Sequence, residues 1–239
     1  MIQLIPLISI VTLMFASAEN LFCGNNSTVT NVKPVQIAEV SAGRLDQAPL
    51  NDLQKKIIEG ARKNLEDNTE YDLTMGYYVL TYEDGVNTGR KVFPGGDLDP
   101  AIGVCTDVIV RSLRYAGIVD LQAAVNEDII SNASEYPLSR WGKKKPDTNI
   151  DHRRVMNLEV WFARHWRIVE DENFLAGDIV VWDMNQDGAS DHIGIVSDNI
   201  SSGRNTVIHN HPDPGHIADE DKIFKWKITG HFRIPASSE

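Results

Sequence analysis

A cysteine and two histidines stand out in this chain as residues that can do covalent chemistry together. Cys105 lies in "GVCTDVIVRSLRYAG", which runs from Gly103 to Gly117. Val104, Val108 and Tyr115, with Ile109 and Leu113 nearby, recur at helical spacing and are expected to pack inward. Cys105 therefore falls at the start of a helix. There, unpaired N–H groups and the helix dipole are expected to favour a thiolate. A nucleophile also needs a base, and the base needs an orienting partner. His192 opens the strand-like "HIGIVSD" and is the candidate base, its ring expected to project toward the helix. The turn "NISSGRN" leads to "NTVIHN", a second strand that sets His209 beside His192 as the orienting group. Asn210 then points to the opposite face, and His211 returns to the His209 face past the strand end. These three residues suit attack on an amide carbonyl, with the Cys105 N–H stabilising the oxyanion. Taken singly, a helical cysteine is commonly a small buried filler, and a histidine at a strand end a structural group. Their order along the chain favours chemistry.

The stretch "DTNIDHRRVMN" carries Asp147, Asp151, His152, Arg153 and Arg154. One reading is a substrate-facing loop in which Arg153 or Arg154 forks onto a carboxylate. The other is an Asp–Arg network holding a surface loop. The candidate substrate-binding set is Asp107, Asp151, His152, Arg153, Asp191 and Asn210. Trp182 is expected in the core, and Tyr136 and Trp141 either there or lining a cleft. Three rivals to a thiol hydrolase follow from the same residues. Asp191, His192, His209 and His211 are good Zn²⁺ ligands, though no H-E-x-x-H spacing occurs. The fold could instead be a binding module that holds its ligand without cleaving it. A disulfide from Cys105 to Cys23, the other cysteine, would eliminate the nucleophile. The leading reading needs no metal and no cofactor.

These residues need elements to position them. "NDLQKKIIEGARKNLEDN" reads as a helix capped by Asn51, with Leu53, Ile57, Ile58, Ala61 and Leu65 inward. "MGYYVLTY" reads as a strand, and "EDGVNTGRKVFPGGDLDPAIG" as a loop that leaves room for substrate. The Cys105 helix stops at Gly117, with Arg111 and Arg114 favoured by the dipole near its end. "LQAAVNEDIISNASEYP" and "LEVWFARHW" are further helices. "GDIVVWD", "HIGIVSD", "NTVIHN" and "ITGHFRI" are short strands. Helices first and strands after imply an α+β fold, with N-terminal helices packed on a small antiparallel β-sheet. Residues 1–18 end in Ala16-Ser17-Ala18 and read as a secretory signal, with an uncleaved N-terminal anchor as the alternative; either way the chain is expected in the periplasm or outside the cell. Residues 19–48 read as a flexible linker and 49–235 as the hydrolase domain. After signal removal no stable membrane insertion is expected. The net charge of −11 argues against a nucleic-acid partner, because phosphate contacts need a basic surface.

This order of pieces resembles the NlpC-type cell-wall peptidases, within the papain-like superfamily. Their pattern is a cysteine on a helix, a "GD" strand, an "H-x-G-I" strand, and a polar residue on the next strand. Here those are Cys105, "GDIVVW" from Gly177, "HIGIV" from His192, and His209 in "VIHN". More closely, residues from about 50 to 234 resemble the family called domain of unknown function 1287, through "GVCTDVIVRSLR", "DTNIDHRRV", "GDIVVWD", "DHIGIVSD" and "HN". The resemblance implies a papain-like fold and a Cys-His-His peptidase or amidase acting on peptidoglycan peptides. One departure matters. The cell-wall enzymes carry an Asp directly before the cysteine, where this chain has Val104. Their recognition of a substrate's N-terminal amine is therefore not carried over.

Overall fold

The computed structural model describes residues 49–74 and 77–236. The expected signal segment, the linker and Cys23 lie outside the described residues.

Helix α1, Asp52–Glu66, begins where two side chains satisfy two backbone donors. Asn51 accepts the Gln54 N–H at 2.8 Å, and Gln54 accepts the Asn51 N–H at 3.1 Å. Ile57, Ile58 and Ala61 are buried on the face their spacing marks. Helix α2, Cys105–Tyr115, packs Val108, Ile109 and Leu113 inward. It ends in a Schellman turn. Gly117 takes φ +64°, its N–H reaches the Arg114 carbonyl, and the Ile118 N–H reaches the Leu113 carbonyl, both at 3.0 Å. Tyr115, expected inward, is exposed, with the Lys63 ammonium 4.0 Å above its ring. Arg111 does more than complement a dipole. It is buried and forks onto Asp97 with two bonds of 2.9 Å. That pins the loop before Cys105 against the helix.

Two further helices follow, α3 (Leu121–Asn132) and α4 (Val155–His165). The strands are β1 (Glu70–Tyr71), β2 (Tyr82–Glu83), β3 (Val86–Asn87), β4 (Ile102–Gly103), β5 (Arg167–Ile168), β6 (Ile179–Asp183), β7 (His192–Ser201), β8 (Arg204–His211), β9 (His216–Glu220) and β10 (Lys227–Arg233). Eight of them form one sheet in the order β4-β1-β9-β8-β7-β6-β10-β5; β2 and β3 pair separately. Among the described residues only the β1–β4 pair is parallel. The α+β class read from the sequence is thus observed.

The strand expected over "MGYYVLTY" forms only at its last residue, Tyr82, which opens β2. Tyr77, Tyr78 and Val79 are exposed and only Leu80 is buried. The Leu80 N–H goes to the Asn149 side chain at 3.4 Å and its carbonyl to the Val92 N–H at 2.9 Å. Loops, not a neighbouring strand, satisfy its backbone.

The large sheet is covered on both sides. Ile179, Val181, Ile193, Ile195 and Ile208 face the helices and share a core with Cys105. Val180, Trp182, Val196 and Val207 face the other way, under Phe174 and Ile223. Double burial explains why β6 reads as an unbroken apolar run. Among the described residues, no helix is long and apolar enough to cross a membrane.

The helices meet at their closest where α1 has no side chain. A Cβ on Gly60 would stand 2.3 Å from the Ser112 carbonyl oxygen. Gly60→Ala gains helix propensity of about 1 kcal/mol but forces backbone apart, at a typical overpacking cost of about 1–3 kcal/mol. We expect a net loss of stability, read as a lower urea midpoint with an unchanged slope. An unchanged or raised midpoint would show that the helices separate freely.

Candidate active site around Cys105 and His192

Cys105 is the first residue of α2, preceded by Val104 in extended conformation. Valine has no capping oxygen. Asp107 supplies one from inside the helix, accepting the Val104 N–H at 2.8 Å. The same carboxylate receives the Arg153 guanidinium, Nε at 2.8 Å and a terminal nitrogen at 3.0 Å. Both partners are buried. Burial alone would raise the Asp107 carboxyl; the Arg153 and Arg111 guanidiniums overrule it and hold the group below the usual carboxylate range. Asp107 and Arg153 were candidates for binding substrate. The structure spends the Arg153 fork on Asp107 and so fixes the start of the helix.

The rest of "DTNIDHRRV" also turns inward. Asp151 accepts the Asp147 N–H at 2.6 Å and an Arg154 nitrogen at 2.8 Å. Arg154 lies over the Trp141 ring at 4.1 Å. His152 is buried, its Nδ1 has no partner, and burial pushes its pKa down to about 3. The Asp–Arg network of the sequence reading is present, but in the interior. Apolar neighbours of the turn, such as Val155 and Leu158, draw it there.

The thiol of Cys105 is free, only 6% exposed, and accepts the backbone N–H groups of Ile193 and Thr106. The expectation of a lowered thiol pKa is overturned. Burial dominates and pushes the thiol up to about 12, with the Asp107 and Asp191 carboxylates adding to it; the two N–H groups pull the other way and lose. Desolvation outweighs the helix dipole here.

Strand alternation governs His192. Ile193 and Ile195 point to the helix side, so His192 and Gly194 point away. The His192 ring stacks on Trp182 at 5.4 Å, instead of projecting toward α2. Gly194 makes room for this packing. A Cβ there would meet Val207 Cγ2 at 2.7 Å and the Trp182 ring at 3.2 Å. The Trp182 indole N–H is satisfied by the Ile223 carbonyl at 2.8 Å. The thiol therefore meets the start of β7 through the backbone N–H of Ile193, while the His192 ring lies on the other face of the sheet. Among the described residues no hydrogen bond joins the thiol to the imidazole.

His192 and His209 come together as the sequence suggested. His192 Nε2 and His209 Nδ1 are 2.7 Å apart. Burial is the first cause holding the His192 ring well below an ordinary imidazole pKa, with His209, His211 and Lys222 adding. Burial likewise pushes His209 down to about 4, against the pull of Glu220. Thiol and imidazoles are all neutral near pH 7.

Glu220 was missed in the sequence. It lies on β9, which pairs with β8 so that Val207 faces Glu220 and His209 faces Ala218. Its Oε2 stands 3.2 Å from His209 Nε2 and 2.9 Å from Lys222 Nζ. The signal available was the turn-rich "HPDPGH", which marks a hairpin and so a further strand beside His209. Asn210, on the opposite face as expected, donates to the Thr69 and Gly103 carbonyls at 3.3 and 3.4 Å. It ties β8 to the backbone leading into Cys105. Asp191 is exposed and accepts the Met184 N–H at 2.9 Å. Among the described residues, no three His, Cys, Asp or Glu side chains converge on a point where a metal ion would sit.

The chain matches the family model described as domain of unknown function (DUF1287) over residues 58–234, and it belongs to that family. It is 42% identical over 182 residues to the uncharacterized protein YijF of Escherichia coli (strain K12), covering 74% of this chain and 80% of that one. Two crystal structures of an N-acetylmuramoyl-L-alanine amidase from Bacteroides uniformis ATCC 8492 align with 78% of this chain and all of theirs, at 12% identity and TM-scores of 0.46 and 0.45.

Two outcomes follow. Alkylation of Cys105 by iodoacetamide should be slow at pH 7 and climb about tenfold per pH unit well past pH 9, because only the thiolate reacts. Fast alkylation at pH 6, lost in His192→Ala, would instead reveal a preformed thiolate–imidazolium pair. Arg153→Met should cost about 3–5 kcal/mol in chemical denaturation by stranding the buried Asp107 carboxylate. Asp107→Asn combined with Arg153→Met should recover part of that loss. A cost below 1 kcal/mol for Arg153→Met would refute the pair's structural role.

Proposed function

We propose that this chain is an exported thiol hydrolase of the NlpC-type, papain-like kind, cleaving an amide bond in peptidoglycan peptides. One observation carries the reading. The Cys105 thiol sits at a helix start against the backbone N–H of Ile193, the residue that follows His192 in the chain, and the His192 ring is held by His209. The resemblance to the cell-wall peptidases supports the substrate class. The apolar run over 1–18 supports export.

In this mechanism the Cys105 sulfur attacks the amide carbonyl carbon. Its proton passes to Nδ1 of His192 through water, since that ring lies on the face of the sheet away from α2. A neutral resting pair makes this transfer simultaneous with attack, not prior to it. The Cys105 N–H, one of the helix's unpaired donors, faces the developing oxyanion. The carbon–nitrogen bond then breaks, and His192 returns the proton to the leaving amine. Water attacks the thioester with His192 again as base, releasing a carboxylic acid and restoring the thiol.

A second reading has its own support. A buried, neutral thiol with no hydrogen bond to the imidazole suits a module that binds cell-wall fragments without cutting them.

Purified protein should release new amines from muropeptides, followed by mass spectrometry. Cys105→Ala and His192→Ala should each lose about 10²-fold or more of that rate. Undiminished cleavage by Cys105→Ala would sink the thiol mechanism. No cleavage, together with equal fragment binding by wild type and Cys105→Ala, would establish the binding module.

A further inference from the structure

We propose that Glu220 is a positioning residue that decides which nitrogen of His192 carries the proton. Its mechanistic consequence rests on the thiol-hydrolase reading; its test does not.

The inference follows from donors and acceptors along one chain of contacts. Lys222 Nζ lies 2.9 Å from Glu220 Oε2, so the carboxylate is ion-paired and can only accept. Glu220 Oε2 lies 3.2 Å from His209 Nε2. That nitrogen must therefore be the one bearing hydrogen. A neutral imidazole has a single N–H, so His209 Nδ1 is bare. His209 Nδ1 lies 2.7 Å from His192 Nε2, and two bare nitrogens cannot bond. His192 Nε2 must then donate, which leaves His192 Nδ1 bare. Among the described residues Nδ1 makes no hydrogen bond, so its lone pair is free to accept a proton.

The alternative chain of tautomers runs the other way. His209 would donate from Nδ1, His192 would accept at Nε2, and His192 Nδ1 would carry hydrogen. In that state His192 is no base toward Cys105, and a bare His209 nitrogen would face the Glu220 carboxylate, lone pair against lone pair. Glu220 excludes it. The protonation states agree with the premise. Burial would raise the Glu220 carboxyl, yet Lys222 and His209 hold it below its usual range. His209, pushed down to about 4 by burial, is neutral near pH 7. Glu220 touches neither the thiol nor the reacting atoms. It acts through His209, and the β8–β9 register, with Val207 opposite Glu220, sets it on the correct face.

Nitrogen-15 NMR of the histidine side chains on the full chain at pH 7 reads the tautomer directly. The expected wild-type pattern is hydrogen on Nε2 and a bare Nδ1 in both His192 and His209. Glu220→Leu should shift His192 toward hydrogen on Nδ1. Glu220→Gln, whose amide oxygen accepts the same bond, should keep the wild-type pattern. In turnover of muropeptides, Glu220→Leu should lower kcat by about 10²–10⁴-fold with KM steady, and Glu220→Gln should recover most of it. Hydrogen on His192 Nδ1 in the wild type, or an unchanged pattern in Glu220→Leu, overturns the proposal. The wild-type spectrum alone decides the assignment if Glu220→Leu does not fold. A wild type that shows the expected pattern but cleaves nothing upholds the role of Glu220 and removes only the hydrolase reading.

Discussion

The carboxylate of Asp107 is the point on which the site depends. It receives the Val104 N–H and two nitrogens of Arg153, all within 3.0 Å. The first bond fixes where α2 begins, and so where Cys105 stands. The other two bring the 147–154 turn against the helix start. A buried ion pair is costly when poorly bonded. This one is fully bonded, and the same residue that caps the helix also anchors a segment 46 positions away in sequence. The fork of Arg111 on Asp97 repeats the device one helical turn later. Between them they hold both the loop before Cys105 and the turn beside it.

A sheet covered on both faces sets the electrostatics. Helices bury one side, and Phe174 and Ile223 bury the other. Burial disfavours charge of either sign. It therefore raises the acid, Cys105, and lowers the bases, His192 and His209, widening the gap between them. A helix dipole does not close that gap when the thiol is sealed from water. The proton stays on sulfur in the free protein, and the proposed mechanism would have to couple its transfer to the arrival of a carbonyl.

Elements with strong local signals were legible in the sequence. Asn51 and Gln54 announce α1, Gly117 announces the end of α2, and alternation in "HIGIV" places His192 at a strand start. The pairing of His192 with His209 followed from two strands joined by one turn. Direction was harder to read. His192 opens its strand, and only the partner Trp182 reveals which face its ring takes. "DTNIDHRRV" looks like a surface loop by composition, yet its charges are neutralised in pairs and then buried. Pairing of that kind is a tertiary fact, invisible in a local window. "MGYYVLTY" has strand composition, but only its last residue, Tyr82, finds a partner strand. Glu220 escaped notice because its five-residue strand is polar, and its value comes wholly from the register that sets it near His209.

The sealed, protonated thiol has a further consequence, for durability. Peroxides and small disulfides attack cysteine through its thiolate, and the rate follows exposure. Cys105 offers little of either. A thiol kept in this form resists conversion to sulfenic acid and capping by foreign thiols. The burial that makes the sulfur a slow reactant toward small electrophiles thus also preserves it in surroundings where an exposed thiolate would soon be spent.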